Sequence, residues 1–365
     1  MKKTWLIKMR VLHLPTDIGG NAWGLSRGER ALGLQSDVLL KEKSSLGYPA
    51  DIQLNIQKTK GKVSEFYKLL KTFINIRNQY DVYHFNFGSS LLHFPGFPFL
   101  NQLDLPFYPQ KAKLFVTYNG CDARQKYPTM KRMKVAACHN TNCYQGMCNS
   151  GRLDQLRRLG IRKMERYVHH FWALNPDLLH FLPPGKSSFL PYSVCKFDVG
   201  LHQPKFGKKL KVIHAPSNRE AKGSVYIIAA LDKLRRKYPD LLEVNIIENV
   251  LHEEALNLYK QADLIIDQIL IGWYGAFAVE GMLMGKPVVA RISVEDLKFV
   301  PDQMALDLQN TIIQADPTTI YHVLEKCIQD RQFLKERSQA SIEYANKWHH
   351  PQFVAEMTKE KYEMN

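Results

Sequence analysis

Two stretches in the second half of the chain have the residue types and spacing to hold an anion. In Gln268 to Ala290, a glycine-containing loop (Ile271 to Gly275) leads into an amphipathic helix carrying Glu280, Gly285 supplies a stop, and Pro287 to Ala290 reads as a buried strand. A helix N-terminus reached through glycine presents free N–H groups and the positive end of the helix dipole, a setting suited to a nucleoside diphosphate. Gly275 and Ala276 stand at that turn. Glu280, about one turn inside, is placed to accept hydrogen bonds from a ribose diol; the alternative is a surface carboxylate on a core-packing helix. The second stretch is the polar run Pro216 to Gly223, between a strand (Leu210 to Ala215) and a helix (Ser224 to Lys237). It carries Arg219 and Lys222, two cations at another helix N-terminus, where a diphosphate can be clamped.

The first half offers weaker candidates. Gly19 and Gly20 follow a short buried strand (Lys8 to Leu14) and precede a helical run to Leu32, the strand, glycine turn, helix order of a phosphate-binding half, although the glycines at 19, 20, 24 and 28 do not form GxGxxG. Gly20, Gly24 and Gly28 fall four apart on one helix face, which also fits close packing of that helix on the sheet. His84 ends the strand Asp81 to Phe85, and Asp122 follows the strand Lys113 to Tyr118; polar residues at the C-terminal ends of successive parallel strands are where open α/β sheets place their sites. A lone histidine there serves equally as a satisfied structural group. Cys121, Cys138, Cys143 and Cys148, with His139 beside them, could complete a tetrahedral metal set, but four-residue gaps match no zinc-finger register and plain loop thiols are the default. Pro183 to Ser188 is no Walker A loop, because the position five before Gly185 is His180.

The elements that must position these residues follow a βα rhythm through both halves. Further strands are expected at Ser36 to Leu40, Phe171 to Leu174, Ser188 to Pro191, Leu242 to Ile247 and Ala262 to Asp267, with helices at Lys62 to Asn78, Gly151 to His170 and His252 to Gln261. With 365 residues, 45% hydrophobic and 23% charged, the chain has material for two domains, divided near residues 195–209. No apolar run approaches a membrane span, and Lys8 and Arg10 interrupt the N-terminus before a signal-type core develops; a cytoplasmic protein is expected. The net charge of +15 calls for an acidic partner. Residues 124–166 hold eleven Lys or Arg against Asp154 and Glu165, nine of the fifteen excess charges. This segment is either a solvated face or a platform for an anionic membrane surface or a phosphate-bearing acceptor, at about 1 kcal/mol per basic residue near a bilayer. No RRM, helix-turn-helix or KH signature accompanies it, so no nucleic-acid partner is expected.

As a set, His214-Ala-Pro-Ser-Asn-Arg219-Glu-Ala-Lys222-Gly223, Leu258-Tyr-Lys-Gln-Ala-Asp263 and Gly275-Ala-Phe-Ala-Val-Glu280-Gly-Met-Leu-Met-Gly-Lys-Pro-Val-Val289 resemble the donor domain of family 4 retaining glycosyltransferases. The first half resembles the acceptor domain through Gly19-Gly20, Val82-Tyr-His84, Thr117 to Asp122 and the final segment Trp348 to Glu363. The resemblance implies a GT-B fold: two facing Rossmann-like α/β domains, 1–200 with 348–365 for the acceptor and 201–347 for the nucleotide sugar, the last helix crossing back. It implies transfer of a sugar from a nucleoside-diphosphate donor to a glycan or lipid-linked hydroxyl acceptor, without a metal or other cofactor. Arg219 and Lys222 would clamp the diphosphate and Glu280 the ribose, with Gly19, Gly20, Gly275 and Ala276 lining the donor site; His84 and Asp122 are the catalytic candidates. Two positions depart from the family: Gly272 stands where the first motif glutamate belongs, with Asp267 a substitute, and Asn119 stands where the family tends to carry histidine. A catalytically silent nucleotide-sugar-binding or scaffold protein of the same fold is the alternative, and a nucleotide-sugar epimerase or a phosphorylase of that fold the nearest enzymatic competitor.

Overall fold

The computed structural model describes residues 8–56, 61–94 and 101–364. Residues 1–7, on which the reading of the N-terminus partly rests, and residue 365 lie outside them. The chain builds two sheets in which every paired neighbour is parallel. The first contains β1 (Arg10–Leu14), β2 (Gln35–Leu40), β3 (Ile52–Gln53), β4 (Val82–Asn86), β5 (Lys113–Tyr118), β6 (His170–Ala173) and β7 (Ser187–Phe189), in the order β3-β2-β1-β4-β5-β6-β7. The second contains β8 (Leu210–His214), β9 (Leu242–Ile246), β10 (Leu264–Ile266), β11 (Val288–Ala290) and β12 (Ile312–Gln314), in the order β12-β11-β10-β8-β9. Each order reverses once, between β1 and β4 and between β8 and β10. Open α/β sheets leave a crevice at the carboxyl ends of such a pair.

In the first half the helices are α1 (Asn21–Ala31), α2 (Lys62–Ile76), α3 (Lys126–Arg132) and α4 (Arg152–Glu165). In the second they are α5 (Arg219–Lys222), α6 (Ser224–Lys237), α7 (His252–Tyr259), α8 (Ala276–Leu283), α9 (Asp302–Thr311), α10 (Ile320–Gln329) and α11 (Arg331–Trp348); α12 (Pro351–Glu363) closes the chain. Side chains alternate across a strand, so β4 sends Tyr83 and Phe85 into the core shared with α2 and α4, and Val82 and His84 to the opposite face. That opposite face is covered by α1 and α12, the latter crossing back from the second half.

The glycines at 24 and 28 allow this closure. A Cβ on Gly24 would stand 2.3 Å from the Val194 carbonyl oxygen, and one on Gly28 would stand 2.2 Å from that of Pro351. The glycine face of α1 therefore packs on the chain crossing at 193–195 and on the start of α12, not on the sheet. The short elements β3 and β12 have no counterpart in the sequence reading, and the loop expected at Pro216 to Gly223 closes into the single helical turn α5.

Candidate active site

In the second half, the chain leaves β8 through Ala215 to Asn218 and turns into α5, whose start is capped by Asn218 accepting from the Ala221 N–H at 2.7 Å. That turn sets Arg219 and Lys222 on one short helix. Lys222 points inward, its Nζ 2.5 Å from Asp267 Oδ1, and the other oxygen of Asp267 accepts the Gly275 N–H at 2.6 Å. Asp267 is fully buried where β10 ends. The cation at 222 and the turn that starts α8 thus meet through Asp267, a built-in counter-anion that lies between them. Arg219 lies outside this contact: it forms a two-pronged pair with Glu248 (2.8 and 2.5 Å) and is 54% exposed. His214 locks the base of the arrangement, with Nδ1 at 2.8 Å from the Ile266 carbonyl and Nε2 at 2.7 Å from Ser224 Oγ. Burial pushes its pKa down to about 4, so the ring is a neutral strut joining β8, β10 and α6.

A cleft of about 390 Å³ opens between the two sheets and is lined from both halves, by Gly19, Tyr48, Asn119 and Asn175 on one side and Lys222, His252, Gly275 and Glu280 on the other. Gly19 and Gly20 both adopt left-handed backbone (φ 66° and 71°), and a Cβ on Gly19 would meet the Ala276 Cβ at 3.5 Å. The two glycine turns singled out in the sequence therefore approach each other closely at the edge of the cleft, Gly19 and Ala276 both lining it while Gly20 packs on Cys195. Glu280 is buried on α8, with Oε1 2.5 Å from His252 Nε2. Tyr48 packs on the His252 ring with 5.0 Å between centroids.

Asp122 closes its own turn by accepting the Asn119 and Gly120 amides at 3.0 and 2.6 Å. Burial raises its carboxyl to about 6 against these stabilising bonds. It shapes the loop that brings Asn119, Gly120 and Cys121 to the cleft and does not line the cleft itself.

His84 departs furthest from expectation. Its side chain faces α12 and is wholly buried, with Nδ1 2.6 Å from Tyr362 Oη and Nε2 2.6 Å from Thr117 Oγ1, and desolvation pushes its pKa well below the usual range. Tyr362 in turn donates to Glu29 at 2.9 Å, and Glu29 pairs with His13 at 2.9 Å. His84 thus belongs to a polar network that fastens the last helix to the first sheet. The strand-end rule failed because alternation along β4 turns residue 84 to the covered face.

All six cysteines are free thiols. Burial pushes Cys138 up to about 11 and Cys143 to about 12, and Cys121, Cys138, Cys143, Cys148 and His139 form no group with ligand atoms mutually within 4.8 Å. His139 Nε2 lies 2.8 Å from the Met133 carbonyl. Among the described residues the group meeting that distance is His13, Glu29 and His84, already joined in the network above.

Several basic residues of 124–166 serve the fold. Arg124 is buried in a two-pronged pair with Asp177 (2.6 and 2.8 Å), Arg132 bonds Asp296 of the second half at 2.7 Å, and Lys126 bonds Asn149 at 2.8 Å. Lys131, Lys134, Arg152, Arg158, Arg162 and Arg166 stay exposed. No helix among the described residues is long and apolar enough to cross a membrane.

The sequence reading did not single out Asn175, Tyr48 or His252. Asn175 follows β6, so the strand-end rule that selected Asp122 would have found it; its Nδ2 donates to the Asn119 carbonyl at 2.5 Å, and the Asn119 and Asn175 Oδ1 atoms are buried without a partner among the described residues. Nothing in the pattern around Tyr48 or His252 distinguishes them from surface residues.

No family model and no curated protein matches this chain. Solved structures do. Sucrose-phosphate synthase from Thermosynechococcus elongatus superimposes with a TM-score of 0.62 at 10% identity, covering 97% of this chain and 98% of its own. Anabaena Alr3699/HepE, solved with UDP-glucose, gives 0.59 at 13%, covering 96% and 98%. UDP-GlcNAc 2-epimerase from Neisseria meningitidis, solved with UDP-GlcNAc, gives 0.52 at 15%, covering 96% and 100%. The fold is GT-B. In this GT-B chain the cleft lies at the carboxyl ends of β1, β4, β8 and β10, where both strand orders reverse.

Proposed function

We propose that this protein is a retaining glycosyltransferase that moves a sugar from a nucleoside diphosphate to a hydroxyl of a glycan or lipid-linked acceptor, in cell-surface polysaccharide or glycolipid synthesis. One observation carries the reading: Lys222 and the start of α8 converge at a single point, joined through Asp267 by contacts of 2.5 and 2.6 Å, beside a cleft that Gly19, Asn119 and Asn175 of the first half also line. Residues 1–200 with 348–365 would form the acceptor domain and 201–347 the donor domain.

In this reading the diphosphate lies against the α8 N-terminus and Lys222, with Arg219 swinging from Glu248 at the rim to add a second cation. These fixed positive groups stabilise the charge that develops on the leaving diphosphate and supply it without a metal. The acceptor oxygen bonds to the anomeric carbon as the bond from that carbon to the diphosphate breaks. Among the described residues, Asp122, Asp267, Glu248 and Glu280 are each engaged by amides, a cation or His252. The departing diphosphate oxygen is therefore the acceptor we assign to the hydroxyl proton. The exposed arginines of α4, with Leu159 (59% exposed) beside them, are the part of the basic segment fitted to rest on an anionic membrane surface at the cytoplasmic face.

The test is turnover of UDP- and GDP-sugars by the purified protein, with release of nucleoside diphosphate followed with and without glycan acceptors. Activity present in wild type and weakened in Arg219→Ala at unchanged melting supports the transferase; no nucleotide binding at all overturns it. The epimerase among the structural neighbours makes sugar epimerisation without an acceptor the competing outcome.

A further inference from the structure

The nucleoside end of the cleft contains a residue engaged on three sides. His252 opens α7, and its backbone N–H donates to the Leu46 carbonyl, in the loop that follows β2 of the first half, at 3.0 Å. Its ring Nε2 lies 2.5 Å from Glu280 Oε1, and one ring face is covered by Tyr48 of the same first-half loop. The ring is 13% exposed and Glu280 3%, so this contact is sheltered from water, where a hydrogen bond to a carboxylate orients it firmly.

A carboxylate recognises a vicinal diol only when both oxygens point toward it. Glu280 has rotatable bonds between its carboxylate and α8, and without a partner it would sample orientations at an entropic cost to any ligand. Anchoring one oxygen through His252 fixes the plane of the group. A carboxylate oxygen accepts more than one hydrogen bond, so the anchored atom still has capacity for a ribose hydroxyl. The charged and titratable groups that act on His252 are Glu280 on α8 and Asp17 and Tyr48 of the first half, with Cys195 and Tyr259 acting in turn on Glu280.

We propose that His252 is a positioning residue that holds Glu280 to read the 2′- and 3′-hydroxyls of a ribonucleoside diphosphate, and that contact with the 41–51 loop ties this orientation to the closed arrangement of the two halves. The inference rests on the nucleotide-sugar reading above, in which Glu280 meets the ribose, and goes beyond it in naming the residue that positions Glu280.

The experiment is calorimetric titration of the full chain with UDP, GDP and ADP, then with the 2′-deoxy counterpart of whichever binds best. Wild type should prefer the ribonucleotide by about tenfold or more, the worth of a hydrogen bond to a charged acceptor. In His252→Ala that preference should collapse toward equality, chiefly by weaker ribonucleotide binding, while affinity for the deoxynucleotide stays within about threefold. His252→Gln, which still offers an N–H to Glu280, should keep most of the preference. Should the alanine variant fail to fold, His252→Asn, whose amide is too short to reach, reads the same loss. An unchanged preference in the alanine or asparagine variant, or equal weakening of both nucleotides there, overturns the positioning role and leaves the proposed function standing. Failure of wild type to bind any ribonucleoside diphosphate overturns both.

Discussion

Removing the Lys222 ammonium tests whether the buried pair behind the cleft is organised as described. Lys222→Met keeps the apolar stem and deletes the charge, leaving Asp267 with no exposure and the Gly275 N–H as its remaining partner. An uncompensated buried carboxylate costs on the order of 3–5 kcal/mol when its partner is removed, because the low dielectric cannot replace the lost cation. Much of a typical domain stability lies in that range, so the second half should unfold at markedly lower urea concentration. The double variant Lys222→Met, Asp267→Leu removes both charges and should regain most of the loss, with coupling of about 2 kcal/mol or more. The assay is urea unfolding followed by far-UV circular dichroism and tryptophan fluorescence, since Trp273 lies beside the α8 turn. A Lys222→Met variant as stable as wild type, or a double variant no better than the single one, would refute the claim that Asp267 is a buried counter-anion.

Arg219→Ala should behave oppositely: the pair with Glu248 is solvent-screened, so melting should stay unchanged while calorimetry shows weaker nucleoside-diphosphate binding. Asp122 has its carboxyl raised to about 6 by burial, so the folded state holds more protons than the unfolded one between about pH 4 and 6 and its stability falls as pH rises through that window. Relative to wild type, Asp122→Asn should therefore lose this component of the pH dependence, read as unfolding free energy against pH. Tyr362→Phe strips partners from His84 and Glu29 and should cost about 1–3 kcal/mol, with faster hydrogen exchange in α12. Sedimentation with anionic vesicles at low salt, abolished by about 1 M salt or by Arg152→Glu, Arg162→Glu and Arg166→Glu together, would support the membrane surface; no binding at low salt rejects it.

The α/β rhythm and the turns at 216–223 and 271–276 were legible because they are local. The loop, helix, stop and strand from 271 to 290 follow from glycine placement and apolar content, and the structure reproduces them as α8, Gly285 with φ at 79°, and β11, although α8 is buried on every face and is not the amphipathic helix expected. Residue types alone also placed Lys222 at a helix terminus. What they could not decide was which groups a side chain would meet from distant parts of the chain. His84 lies within a parallel strand and Asp122 follows one, yet the first faces a helix arriving 278 residues later and the second folds back on its own turn. Asp267 and Lys222 are 45 residues apart and meet only because β8 and β10 are neighbours in the sheet. His252 has no local pattern at all; its place beside Glu280 and under Tyr48 depends on three segments converging. Sequence periodicity determines which face of an element is apolar, because that is a property of consecutive residues. The partner of a polar group depends on strand order and on how the two halves close, and only the tertiary structure decides those.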